Sequence, residues 1–174
     1  MSTTTTQVNG TTTPNDWTLS AGASKQVAVN QPDDDDTTYI DSGSSSNTVQ
    51  TFTLSPSLST GDTITEIVIH ARVKRTGGSN ANHVFGYSFT PQGGGTQTSE
   101  SGNNTATNTW ADESYAHSGL SVLWGSDLTI YIKNTQARPM ALTTFYVVIT
   151  YTPGGGGSTQ PPRTMHQMQM RINP

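Results

Sequence analysis

Apolar and polar residues alternate cleanly in two segments of this 174-residue chain. In Ile64 to Lys74, the residues Ile67, Ile69, Ala71 and Val73 alternate with Glu66, Val68, His70, Arg72 and Lys74. That period of two predicts a strand with one buried face and one mostly wet. Asp127 to Lys133 repeats it, with Leu128, Ile130 and Ile132 set against Thr129, Tyr131 and Lys133. Leu142 to Tyr151 is apolar on both faces near its middle, which predicts a central strand. Shorter strands are predicted over Gln26 to Val29, Thr37 to Asp41, Thr48 to Leu54, Val84 to Thr90 and Gly95 to Ser101, each bounded by turn-forming residues. Trp110 to Trp124 fits either a short helix or a pair of strands. About eight strands with almost no helix predict an all-β fold, a single antiparallel β-sandwich or jelly roll. No internal repeat emerges, which excludes a solenoid or propeller.

The pattern fades at both ends. Residues 1–14 are rich in threonine and carry Val8 as their one branched apolar residue, so they read as an N-terminal arm without a core of its own. The sandwich is expected over residues 15–152. From Pro153 onward come Gly154 to Gly157 and then Pro161-Pro162, a flexible hinge followed by a stiffer spacer, so residues 153–174 read as a C-terminal arm. Near its end Met168, Met170 and Ile172 alternate with Gln167, Gln169 and Arg171, a strand pattern that needs a sheet edge supplied from elsewhere. Arg163 and Arg171 give this arm two positive charges, while residues 15–152 hold 12 acids and 6 bases. Charge thus favours docking of the arm on another copy's body.

Composition narrows the class. Thr (31), Ser (19), Gly (17) and Asn (11) make up nearly half of the chain, a make-up that feeds strands and turns and is typical of proteins working outside cells. With 8 Lys and Arg against 12 Asp and Glu there is no basic field to neutralise phosphates, so nucleic acid is not an expected partner. No apolar run of membrane-spanning length occurs, so no membrane partner is expected either. The opening MSTTTTQVNG has neither the basic nor the apolar region of a secretory signal. Zero cysteines exclude disulfides, thiol catalysis and Cys-ligated zinc.

Candidate chemistry is sparse. The run Asp33, Asp34, Asp35, Asp36 offers carboxylates for calcium but lacks the spaced ligands and glycine of an EF-hand loop; it reads better as a solvated loop or as an acidic patch accepting a neighbour's Arg or Lys. His70, His83, His117 and His166 show no metal-ligand spacing, and no G-x-S-x-G elbow is present. Asp112 and Glu113 are adjacent, so on a strand they point to opposite faces and cannot converge as a glycosidase pair. No catalytic residue, metal or cofactor is expected. Trp17, Trp110, Trp124 and Tyr115 are available as an aromatic platform on which a sugar could stack, with Trp110 and Trp124 the candidates. In a chain short of aliphatics, though, tryptophans are the natural core payload.

The order Trp17, PDDDDTTYI (Pro32 to Ile40), a Ser/Gly turn, TVQTFTL, GDTITEIVIHARVKR and a closing TTFYVVITYTP resembles a β-sandwich pattern of tailed-phage structural proteins of the head-decoration, head-fibre or tail-associated type. The resemblance covers roughly residues 15–152 and leaves the C-terminal arm unmatched. It implies a non-enzymatic virion protein made in the host cytoplasm and exposed on the particle surface. The expected role is capsid decoration or cementing: a homo-oligomer that also grips a major capsid or other virion protein. Met168, Met170, Arg171, Ile172 and Arg163 would anchor it, with Asp33 to Asp36 as acceptor. The alternatives are a glycan-binding module of a phage fibre and a self-assembling extracellular filament subunit.

Overall fold

The structure is a computed structural model describing residues 1–20, 24–30 and 36–155. Its strands are β1 (Ser2–Asn15), β2 (Thr18–Leu19), β3 (Ile40–Asp41), β4 (Thr48–Leu54), β5 (Thr63–Arg75), β6 (Ala81–Pro91), β7 (Gln97–Glu100), β8 (Asn104–Ala106), β9 (Ala111–Asn134) and β10 (Met140–Thr152). One helical turn, α1 (Lys25–Val29), interrupts them. The chain is an all-β antiparallel sandwich of two sheets.

In the first sheet the front of β9 (Ala111 to Leu123) lies beside β5, and β5 beside β10. The other edge of β10 takes the front of β1 (Ser2 to Gln7) and, nearer its start, β3 followed by β2. In the second sheet the back of β1 (Val8 to Asn15) pairs with β4, then come the back of β9, β6, and finally β7 and β8. Two strands, β1 and β9, therefore belong to both sheets. The inward faces meet in a core that includes Phe52, Phe85, Phe89, Phe145, Ile67, Ile69, Ile130 and Ile149. Phe52 of β4 and Phe145 of β10 join the layers edge to face, with centroids 5.7 Å apart, the aromatic geometry that adds to simple area burial.

The alternating segments become strands close to their expected bounds. Three expectations need correction. Residues 1–14 are built into the body as β1 rather than forming an arm: Thr4, Thr6 and Val8 take the inward positions, with Thr6 and Val8 buried. Threonine, being β-branched, satisfies a strand without registering as apolar. Gln26 to Val29 is helical, because Ser24 caps it by accepting from the Val27 amide (3.2 Å) and the turn buries Ala28 and Val29 together. Trp110 to Trp124 is neither helix nor hairpin; most of it is the front half of a single 24-residue strand, β9. Of the expected C-terminal arm, only residues 153–155 are described. There the Gly154 amide donates to Asp62 Oδ1 (2.8 Å), so this piece lies against the start of β5.

Candidate functional site

At the β5 C-terminal end, three connections converge. Backbone bonds from Arg75 N to Thr107 O (2.7 Å) and from Thr76 N to Pro139 O (3.0 Å) tie the β5–β6 turn to the β8–β9 and β9–β10 loops. Asp41, at the end of β3, receives the Thr76 hydroxyl at Oδ2 (2.8 Å) and the Gly43 amide at Oδ1 (2.7 Å). The register Asp41–Ala141–Lys74 puts the last residues of β3 and β5 in one cross-strand row.

This convergence forms a corner with aromatic walls. Tyr39 and Trp110 meet edge to face at 6.0 Å between centroids, and both are half-buried. The Lys74 ammonium sits 4.9 Å from the centroid of the Trp110 ring, a cation–π contact. Beside them is an open depression of about 430 Å³ lined by Tyr39, Lys74, Arg75, Thr76, Gly77, Gly78 and Asn108, with Tyr39 as its aromatic wall and Trp110 behind it. The wall supplies apolar ring surface and the rest supplies hydrogen-bond donors and acceptors, which is the combination that binds a ligand having both apolar and hydroxyl-bearing faces.

Trp124 lies at the opposite end of the sandwich. Its amide donates to Asp62 O (2.8 Å), just before the start of β5. Its ring leans on Phe89 (5.7 Å) and is 6% exposed, and Trp17 is 1% exposed. Trp124 borders a second depression of about 420 Å³, with Asn9, Ser55 and Asp127. It reaches this depression with only a sliver of ring, so the expected stacking role of Trp124 is corrected to core packing. Tyr115 is likewise turned into the sandwich.

Tyr115 belongs to a polar clasp along one edge of the body. Inward residues of the front of β9 meet β6 and β7 in three pairs: His83 Nε2 with Glu113 Oε2 (2.9 Å), Tyr115 OH with Ser99 Oγ (2.7 Å), and His117 Nδ1 with Tyr87 OH (2.5 Å). Burial pushes the Tyr87 hydroxyl above its ordinary pKa, so it stays neutral. Glu113 brings one carboxylate here. Asp112 points outward to Arg72 (3.2 Å), so the two adjacent acids do diverge. The clasp joins the sheets and presents no second acid for hydrolysis. Among the described residues there is no group of three metal-ligating side chains.

Of the acidic run, Asp36 is described and is engaged within the chain. It takes the Arg72 guanidinium at both oxygens (3.0 and 3.3 Å), which raises the Arg72 pKa further. Asp33, Asp34, Asp35, Arg163, Met168, Met170, Arg171 and Ile172 lie outside the described residues. Tyr39, Lys74 and Arg75 were not singled out by the sequence. Their one signal is placement, each next to a strand end with turn residues following.

No family model and no curated protein matches the chain. Solved structures do resemble it in fold. The N-terminal CBM22-1–CBM22-2 tandem domain of Paenibacillus barcinonensis Xyn10C superposes with a TM-score of 0.53 at 16% identity, over 89% of this chain and 47% of that one. The CBM22-1–GH10 modules of Clostridium thermocellum xylanase 10B, complexed with xylohexaose, give 0.53 at 13% identity, over 83% of this chain and 27% of that one. The CBM22-1 xylan-binding domain of Paenibacillus barcinonensis Xyn10C gives 0.50 at 17% identity, over 83% of this chain and 92% of that one. This chain thus spans nearly the whole of the single xylan-binding domain, about half of the tandem domain and about a quarter of the xylanase construction. The likeness is one of β-sandwich fold. The likeness to tailed-phage virion proteins rests on sequence order alone.

Proposed function

We propose that the chain is a glycan-binding module that holds sugar at the Tyr39–Trp110 corner. The observation that carries this reading is the half-exposed aromatic wall beside an open depression rich in hydrogen-bonding groups. The fold shared with a xylan-binding domain supports it. A pyranose ring has an apolar face of C–H groups and an equator of hydroxyls; the first packs on the indole, the second bonds to Thr76, Asn108 and the turn backbone. Such a site captures and orients without reacting, so the reading is non-enzymatic.

Capsid cementing stands behind this reading, because it depends on terminal arms. The N-terminal stretch is a body strand, and the Met/Ile stretch of the other arm lies outside the described residues. The sequence resemblance supports placing the module on a phage fibre or other particle surface, as one of several copies beside another virion protein. Immunogold labelling of purified particles and their oligomer size test that placement.

Binding is tested by titration calorimetry with xylohexaose and a panel of soluble glycans. Trp17 is buried and Trp124 borders only the depression at the opposite end, so an emission change from binding at this corner is expected from Trp110, and Trp124→Phe separates the two ends. We expect Trp110→Ala to abolish both the emission change and the heat, with affinity down at least about tenfold, while Trp124→Phe retains both. A panel that binds equally well to Trp110→Ala refutes the site; a panel that never binds refutes the function.

A further inference from the structure

We propose that the sugar taken at this corner is acidic, a uronate-type residue whose carboxylate is held by Lys74, with Arg75 adding charge at the rim. This rests on the glycan-binding reading and specifies its ligand. The whole chain carries a net charge of −4, yet its bases are unevenly spent. Arg72, two residues before Lys74 on the same strand, is paired with both Asp36 and Asp112 at 3.0 and 3.2 Å. Lys74 and Arg75, which line the depression, form no ion pair among the described residues. The Arg138 side chain adds a third cation at the rim, because a Cβ on Gly78 would stand 3.0 Å from its guanidinium. Among the described residues one acid, Asp41, bonds to a residue lining the depression. Both of its oxygens are taken, by the Thr76 hydroxyl and the Gly43 amide.

Among the described residues Lys74 and Arg75 line the depression and Arg138 stands at Gly78, against the Asp41 carboxylate, so cations outnumber acids here on an otherwise acidic body. A concave site lined with charge of one sign raises the local concentration of the opposite ion. Lys74 supplies a point charge already anchored against the Trp110 ring, which a carboxylate can approach from the depression. The positions where Gly77 and Gly78 lack a Cβ are filled by Pro139 and by the Arg138 side chain, at 3.2 and 3.0 Å, which holds that guanidinium at the turn. The site therefore reads the sugar by its ring on the aromatic wall and by its charge on the strand end.

The test compares four probes on the full chain: oligogalacturonate, the same oligomer as its methyl ester, xylohexaose and dextran sulfate. We expect oligogalacturonate to bind best and the ester at least about tenfold more weakly, since one charge-assisted bond is lost. Lys74→Met, which keeps the stem against Trp110, should erase that preference and Arg75→Gln should reduce it, with circular dichroism showing both variants folded. If the ester or xylohexaose binds as tightly as the acid, and the two variants leave that affinity unchanged, acid specificity falls while glycan binding survives. If dextran sulfate matches the acid and Trp110→Ala does not weaken either, simple charge attraction replaces the proposal. If none of the four binds, both readings fall.

Discussion

Gly125 sits where β9 leaves the first sheet for the second, immediately after Trp124. Leu123 still pairs with Thr63 of β5, whereas Trp124 pairs with Pro91 and Ser126 with Thr90 of β6. A Cβ on Gly125 would lie 2.3 Å from the Thr90 carbonyl oxygen, 2.7 Å from Pro91 C and 2.9 Å from Gln92 N. All three are backbone atoms, and ordinary contact needs roughly another 1 Å. Gly125→Ala must therefore push the end of β6 outward. That displacement breaks the Gln92 N to Leu123 O bond (3.1 Å) and strains the pairing at Thr90 and Pro91. At about 1 kcal/mol for each of two or three bonds, plus overpacking of about 1 kcal/mol, the loss is about 3–4 kcal/mol. For a chain of this size that corresponds to a melting point lower by about 6–15 °C. Gly86→Ala is the control: its Cβ would meet the Tyr131 ring at 2.2 Å, but Tyr131 is a half-buried side chain that can move aside by giving up its hydroxyl bond to Glu100, at about 2 kcal/mol. Calorimetric melting of both variants decides the matter. Equal losses, or a Gly125→Ala chain within about 0.5 kcal/mol of the parent, would show that the crossing is not the close-packed joint described above.

Deleting residues 2–15 removes β1 from both sheets at once, so the truncated chain should fail to fold rather than lose a dispensable tail; sharp dispersed amide resonances from the truncation would refute this. His70 stacks on Tyr146 (4.7 Å) and burial lowers its pKa from 6.5. Below about pH 6.5 the unfolded chain therefore takes up a proton that the fold resists, and stability falls as pH drops through that range, while above it the residue contributes no slope. Urea titrations of the parent and His70→Gln at pH 7.5 and pH 5 should show a smaller acid loss in the variant; parallel losses would assign the pH dependence elsewhere.

The fold was legible wherever apolar side chains mark the inward face. Ile64 to Lys74 and Leu142 to Tyr151 became β5 and β10 almost to the residue. It was illegible where polar residues face inward. β1 hides behind Thr4 and Thr6, and the front of β9 turns Glu113, Tyr115 and His117 into the sandwich, where His83, Ser99 and Tyr87 satisfy them. No local pattern announces such pairing, because the partners lie 16 to 30 residues away. The site divides in the same way. Residue type pointed equally to Trp110 and Trp124, and only tertiary burial separates a platform from a core ring. Tyr39, Lys74 and Arg75 come from two segments brought together by the β3–β10–β5 register, which a linear reading does not contain.

The pairing of β1 with β10 has a consequence for how the chain is made. Ser2 bonds opposite Tyr151 and Gln7 opposite Tyr146, so β1 waits for β10 to be made. β4 can receive the back half of β1 early, but the front half has no edge to lie on until residue 151 has emerged. Closing so long a loop is slow compared with local hairpin formation. The sandwich therefore completes after synthesis of its last strand and not during it, and the nascent chain spends most of translation with a threonine-rich strand half unpaired. An edge that is soluble while it waits is what such a sequence of synthesis requires, and threonine supplies it.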